Sequence, residues 1–104
     1  MRRGEVWWVE IADEGRRPHL ILTRDAAIPV LNAVIGVPAT RTVRGIPTEV
    51  ALGPEDGMPE ACALALDNIR VIRKSFCTER ICALRPALMD RVCQALSVAT
   101  GCEA

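Results

Sequence analysis

Few side chains in this chain are of a type that does chemistry. It has one histidine, His19, so an acid–base pair of histidines cannot come from a single copy. No glycine-rich phosphate loop and no Ser-His-Asp set is spelled out. The five cysteines (Cys62, Cys77, Cys82, Cys93 and Cys102) form no Cys-x-x-Cys, and their spacing is too loose for a zinc site. An odd count cannot pair completely within one chain, so they read as reduced, mostly buried thiols of a cytosolic protein. A thiol nucleophile would need a base, and only His19 is of that type. The adjacent carboxylates Asp13-Glu14 and Glu55-Asp56 fall in turn-forming stretches and read as solvated pairs rather than a two-metal cluster. No metal or other cofactor is therefore expected. Arginine and hydroxyl side chains remain. Twelve of the 13 basic residues are Arg, whose planar fork suits phosphate and whose face suits bases.

The net charge is zero, with 13 basic and 13 acidic residues, so the total does not announce a nucleic-acid partner. The distribution is more informative. Residues 16–47 hold five Arg against one acid; residues 48–67 hold five acids and no base; residues 68–93 hold six bases against two acids. Two basic segments flank an acidic one, and a compact fold could bring the basic ones together.

With 104 residues, the chain is expected to be one domain, 1–104, with one modest core. Half the residues are apolar, yet no apolar run approaches a membrane span. The charged start, Met1-Arg2-Arg3-Gly4-Glu5, does not read as a secretory leader. Gly4–Ile11 reads as a strand with Trp8 in the core and Trp7 partly exposed. Ala12–Arg17 is a short polar connector, and Pro18–Thr23 is a central apolar strand. Further strands are expected at Leu31–Val37, Ile46–Leu52, Cys62–Ile72 (with a bulge near Asp67-Asn68) and Glu79–Leu84. Gly53–Pro59 is dense with turn formers. Pro86 opens a helix with Leu88, Met89, Val92, Cys93, Leu96 and Ala99 on its apolar face, and Gly101 ends it. The expected class is mainly β: an SH3-like small barrel of five to six strands with a C-terminal helix.

Five stretches occur in a telling order: Gly4-Glu5-Val6-Trp7-Trp8-Val9-Glu10, Arg16-Arg17-Pro18 opening an apolar strand, Val37-Pro38-Ala39-Thr40 closing another, Pro47-Thr48-Glu49-Val50, and Leu66-Asp67-Asn68-Ile69. In this the chain resembles the MazF/PemK family of toxin endoribonucleases along essentially its whole length. The resemblance implies an SH3-like barrel, a homodimer, metal-independent and sequence-selective cleavage of single-stranded RNA, a cognate antitoxin that blocks the site, and a cytoplasmic setting without a membrane partner. It makes Arg17 and Thr40 the catalytic pair, with Arg16, Arg41, Arg44, Asp67 and Asn68 as substrate contacts.

That pairing is chemically reasonable. Without metal, RNA is most simply cut by its own 2′-hydroxyl, and the barrier lies in charge building on phosphorus and on the leaving 5′-oxygen. A guanidinium offers paired donors to phosphate oxygens, and a hydroxyl adds another. Arginine is a poor general base, so an electrostatic clamp is its expected role; Asp13, Glu14 and His19 are the base-type groups nearby in sequence. Bland readings stand beside these: Thr40 as a turn hydroxyl bonding its own backbone, Asp67-Asn68 as a turn pair, His19 as a core or interface residue.

The chain also departs from the family pattern. Its first connector is shorter, Ala39 and Arg41 flank Thr40, Cys82 stands where glycine is frequent, and Arg85 replaces a capping Ser or Thr. Two alternatives share the fold: a non-enzymatic toxin that poisons gyrase, and an inactive SH3-like interaction module.

Overall fold

The computed structural model describes residues 1–102. The chain runs β1 (Glu5–Ile11), β2 (Gly15–Ile21), β3 (Ala33–Thr40), β4 (Glu49–Leu52), β5 (Cys62–Ala65), β6 (Arg70–Arg73), β7 (Cys77–Ala83) and α1 (Pro86–Thr100). The sheet order is β4-β5-β3-β2-β1-β7, with β6 also pairing β3. All pairings are antiparallel. β4 and β7 end the ladder and do not pair with each other, so the sheet stays open, with α1 packed on the main core.

There are seven strands rather than five or six, because the expected strand Cys62–Ile72 is two. Both halves lie along the same edge of β3: β5 pairs through Ala39↔Leu64, and β6 pairs through Gly36↔Arg70. Between them the register slips by the three residues of a 3₁₀ turn, Leu66–Asn68. The slip falls opposite Val37 and Pro38, and Pro38 has no amide hydrogen to give a ladder. The turn buries Leu66 in the core and leaves Asp67 and Asn68 exposed.

β1 does not alternate simply. Val6 and Val9 are both buried, because bulges against β7 interrupt the ladder between Val6 and Trp7 and between Trp8 and Val9. Trp8, expected in the core, is therefore only half-buried. The main core joins Val6, Leu20, Val37, Val50 and Leu64 to Leu88, Val92 and Ala95 of α1. Cys93, expected on the helix's apolar face, is exposed, and Ala95 takes the buried position. The helix begins on Pro86 without a side-chain cap and stops at left-handed Gly101 (φ 72°).

Two small residues permit close approaches. Gly57 combines φ 96° with a position where a Cβ would lie 2.7 Å from Cys82 Cβ. Gly36 lies on β3 beneath β6, and a Cβ there would meet Ile72 Cδ1 at 2.1 Å. Ile72 is 1% exposed, so its side chain has little room to yield. Gly36→Ala should therefore lower stability by about 1–3 kcal/mol, read from urea midpoints. In an Ile72→Val background, which lacks Cδ1, the same change should cost measurably less. Equal costs in both backgrounds would show that Ile72 is not the obstacle.

Candidate active-site cleft

A cleft of about 480 Å³ opens where β2 begins and β3 ends. The sheet register sets its two chemically interesting residues. β2 and β3 pair through His19↔Pro38, and the same register carried two residues further sets Arg17 across from Thr40. Residues opposite each other in an antiparallel pair share a face. Each is anchored on its other side as well: Arg17 pairs with Val9 of β1, and Thr40 with Ala63 of β5. β2 starts at Gly15, earlier than the sequence suggested, so Arg16 and Arg17 belong to the strand rather than to a connector. β3 likewise runs on through Pro38 and Ala39 to Thr40. Both candidate side chains thus stand on sheet backbone.

Arg17, Thr40, Arg16 and Arg41 all line the cleft. Their charges are not equally available. Arg16 stacks over the Trp8 ring, 4.3 Å from its centroid, and donates to Glu79 Oε2 at 2.9 Å. Its Nε also lies 3.8 Å from Glu10. Arg41 reaches Glu60 at 3.6 Å. Arg17 is exposed and, among the described residues, makes no ion pair. Thr40 Oγ1 accepts from the Thr42 amide at 3.1 Å, the local turn bond its type predicts. That bond uses a lone pair, so the Thr40 hydroxyl proton remains free to donate.

The opposite wall comes from the acidic middle segment, with Met58, Pro59, Glu60 and Cys62 lining the cleft. The loop is held by a 3₁₀ turn, Pro54–Asp56, in which the Gly53 amide donates to Asp56 Oδ2 at 3.0 Å. Met58 is buried, its sulfur 3.7 Å from Cys82 Sγ. All five cysteines are free thiols; Cys62 is buried, but Cys93 and Cys102 are exposed, so the set is less buried than expected. Burial pushes the thiols of Cys62, Cys77 and Cys82 up, which keeps them protonated.

Sequence reasoning missed one pair at this site. Glu14 lines the cleft and accepts both arms of the Arg70 guanidinium, at 2.8 and 2.9 Å. The bond from Arg70 holds the Glu14 carboxyl below its ordinary value, with the Arg17 charge adding to the effect. Glu14 had offered only its residue type, and Arg70 lay in a basic segment with no assigned place. The β3–β6 register, Gly36↔Arg70, is what joins them.

Three expected contacts stand apart from the cleft lining. The Arg44 and Gly45 amides donate to Glu49 Oε1 at 2.9 and 3.1 Å. Asp67 accepts from the Thr48 hydroxyl at 2.6 Å, and Asn68 is exposed in the 3₁₀ turn. His19 is 2% exposed, with Nδ1 3.2 Å from the Arg17 carbonyl oxygen, in keeping with a core histidine. Among the described residues, no three His, Cys, Asp or Glu side chains converge in a metal-binding group, and no helix is long and apolar enough to cross a membrane.

Known proteins are similar to this chain in sequence and fold. Residues 2–100 match the family described as "PemK-like, MazF-like toxin of type II toxin-antitoxin system". The probable endoribonuclease MazF5 of Mycobacterium tuberculosis is 43% identical over 96% of this chain and 93% of its own length. The probable endoribonuclease MazF2 of the same species is 40% identical over 98% of this chain and all of its own. Among solved structures, an endoribonuclease in complex with its cognate antitoxin, from a mycobacterial species, superposes with a TM-score of 0.90 at 31% identity, covering 100% of this chain and 98% of that one. With the match spanning nearly every residue and the motif arginine and threonine meeting at one cleft, the chain belongs to the PemK-like, MazF-like toxins of type II toxin–antitoxin systems.

Proposed function

We propose that this chain is a toxin that cuts single-stranded RNA without a metal ion, using Arg17 and Thr40 on a phosphate held in the β2–β3 cleft. That it is an endoribonuclease rests on its family and on relatives named as such at 40–43% identity over most of the chain. The observation that carries the finer reading is the state of the cleft arginines. Arg16 and Arg41 have carboxylate partners, whereas Arg17, opposite Thr40, makes no ion pair among the described residues. A free guanidinium beside a donor hydroxyl matches the charge pattern of a phosphoryl transition state.

In the proposed reaction the substrate's 2′-hydroxyl gives up its proton as its oxygen bonds to phosphorus, and the bond to the 5′-oxygen breaks as that oxygen takes up a proton and leaves as a hydroxyl, so the two protons balance. Arg17 neutralises the non-bridging oxygens, and Thr40 donates to one of them or orients the attacking oxygen. Glu14 is the base-type group that lines the cleft; Asp13 sits in the turn before it at φ 71°, and His19 is buried. Arg16 and Arg41 stand where flanking phosphates would run, and exposed ion pairs of this kind are weak enough to yield to them. The Arg16–Trp8 stack offers a flat surface to a splayed base. Arg44, Asp67 and Asn68 would serve as outlying contacts that bias which sequence is cut.

Two assemblies follow for a cytoplasmic toxin of this kind. A cognate antitoxin protein would block the cleft. A second copy of the chain would cover the outer face of β3 and β6, where Ile35 and Val71 lie opposite each other with 43% and 74% exposure.

Thr40→Ala and Arg17→Ala should each reduce cleavage of a long RNA on the order of 10²–10³-fold, with folding unchanged by circular dichroism and the wild-type rate unaffected by chelator. A folded variant cutting at the wild-type rate would remove that residue from the mechanism. Light scattering at micromolar concentration should give a dimer mass, and Val71→Asp should shift it to the monomer. A wild-type monomer would contradict the assembly.

A further inference from the structure

His19 is an odd residue to find where it is. It is 2% exposed, and its Nε2 is the one buried side-chain nitrogen or oxygen among the described residues with no hydrogen-bond partner. A polar atom left unpaired in a core costs stability, and an aliphatic side chain would fill the same space without that cost. The ring lies against β3, where a Cβ built on Gly36 would stand in ordinary van der Waals contact with its Cδ2, at 3.6 Å. What the ring does gain is at its other nitrogen, where Nδ1 lies 3.2 Å from the carbonyl oxygen of Arg17. A carbonyl only accepts, so this contact fixes the tautomer: Nδ1 carries the proton and donates, and Nε2 is left as the bare acceptor.

We propose that His19 is a positioning residue for cleavage, its Nδ1–H holding the Arg17 backbone so that the guanidinium stays aimed at the phosphate beside Thr40. The role rests on the reading of Arg17 given above. Arg17 lies at the end of the β2–β3 ladder, beyond the last paired residues His19 and Pro38. β1 holds the strand through Val9↔Arg17, but no β3 pairing closes that end, so a side-chain tether from two residues along the strand adds a second hold on the Arg17 backbone. His19 touches no substrate in this arrangement and acts only through Arg17.

The same geometry makes the site sensitive to acid, through added charge rather than through loss of the tether, since the imidazolium keeps its Nδ1–H. The charged groups around His19 are Glu14 from the β1–β2 turn, Arg17 on β2 itself and Arg70 from β6; the β3 residue against it, Gly36, is uncharged. Burial, with the two guanidiniums adding, keeps the imidazole below its ordinary value and therefore neutral at pH 7. Its pKa is depressed on folding, so the neutral arrangement holds above that range and is lost as pH falls through the folded pKa. Protonation would give the unpartnered Nε2 a buried N–H and set a third positive charge beside Arg17 and Arg70.

The test is steady-state cleavage of a short all-ribose RNA spanning a cut site mapped on a long one, followed from pH 8 to pH 5. His19→Leu keeps the bulk and removes the donor, and kcat should fall about tenfold with KM within a factor of two. His19→Asn, whose amide nitrogen falls where Nδ1 does, should recover most of that loss. His19→Gln, whose amide reaches instead to the Nε2 position, should not, and it stands in if the leucine variant does not fold. Wild-type kcat should decline as pH falls through the depressed pKa of His19, below the ordinary imidazole range, and the asparagine variant should lose that decline. A leucine or glutamine variant with wild-type kcat, an asparagine variant no better than glutamine, or an acid decline that persists in the asparagine variant would overturn the proposal. Arg17→Ala separates the two readings: full activity there defeats the role of Arg17 itself, whereas an inactive Arg17→Ala beside a fully active His19→Leu defeats only the tether.

Discussion

The antiparallel register between β2 and β3 is the constraint on which the site depends. Pairing His19 with Pro38 sets Arg17 across from Thr40. A slip of one residue would send one of the two side chains to the other face of the sheet. The register is well protected. Leu20 and Val37, also paired, are fully buried in the main core, and at the far end the Ile35 amide donates to the Thr23 hydroxyl at 2.7 Å. Core packing thus fixes from behind how Arg17 and Thr40 are placed.

Around that pair the fold distributes charge in a consistent way. The acidic middle segment supplies one wall of the cleft, carboxylates occupy its other two arginines, Glu79 on Arg16 and Glu60 on Arg41, and the cleft carboxylate Glu14 is itself bound by Arg70. A chain of zero net charge can therefore still present an uncompensated positive group where a phosphate would sit. Charge at the site, rather than charge on the molecule, governs recognition of this kind.

Much of this was legible in the residues. The fold class, the helix with its Pro86 start and Gly101 stop, and the order of the strands follow from hydropathy patterns and turn formers. The departures have physical causes. Cys62–Ile72 reads as one strand with a bulge near Asp67-Asn68 because β5 and β6 lie along one edge of β3; the break is at that place, but the register shows it to be a three-residue turn between two strands. Trp8 reads as core because alternation predicts it; two bulges in β1 move Val9 into the core instead. The Glu14–Arg70 pair joins residues 56 positions apart, and nothing local in the sequence marks either for the other. His19 was legible as a buried residue but not as a neighbour of the Arg17 carbonyl, which takes three-dimensional coordinates to see.

The central claim is that a guanidinium and a hydroxyl, brought together by one strand register, suffice for the RNA to cut itself through its own 2′-oxygen. The most direct measurement replaces a single ribose, just 5′ of a mapped cut site, with its 2′-deoxy counterpart and analyses the fragments by mass spectrometry. The all-ribose strand should yield a 2′,3′-cyclic phosphate, or the 3′-phosphate it hydrolyses to, together with a 5′-hydroxyl. The substituted strand should bind and remain intact. Fragments with 5′-phosphate ends, or normal cutting of the substituted strand, would show that the attacking oxygen comes from elsewhere and contradict the claim.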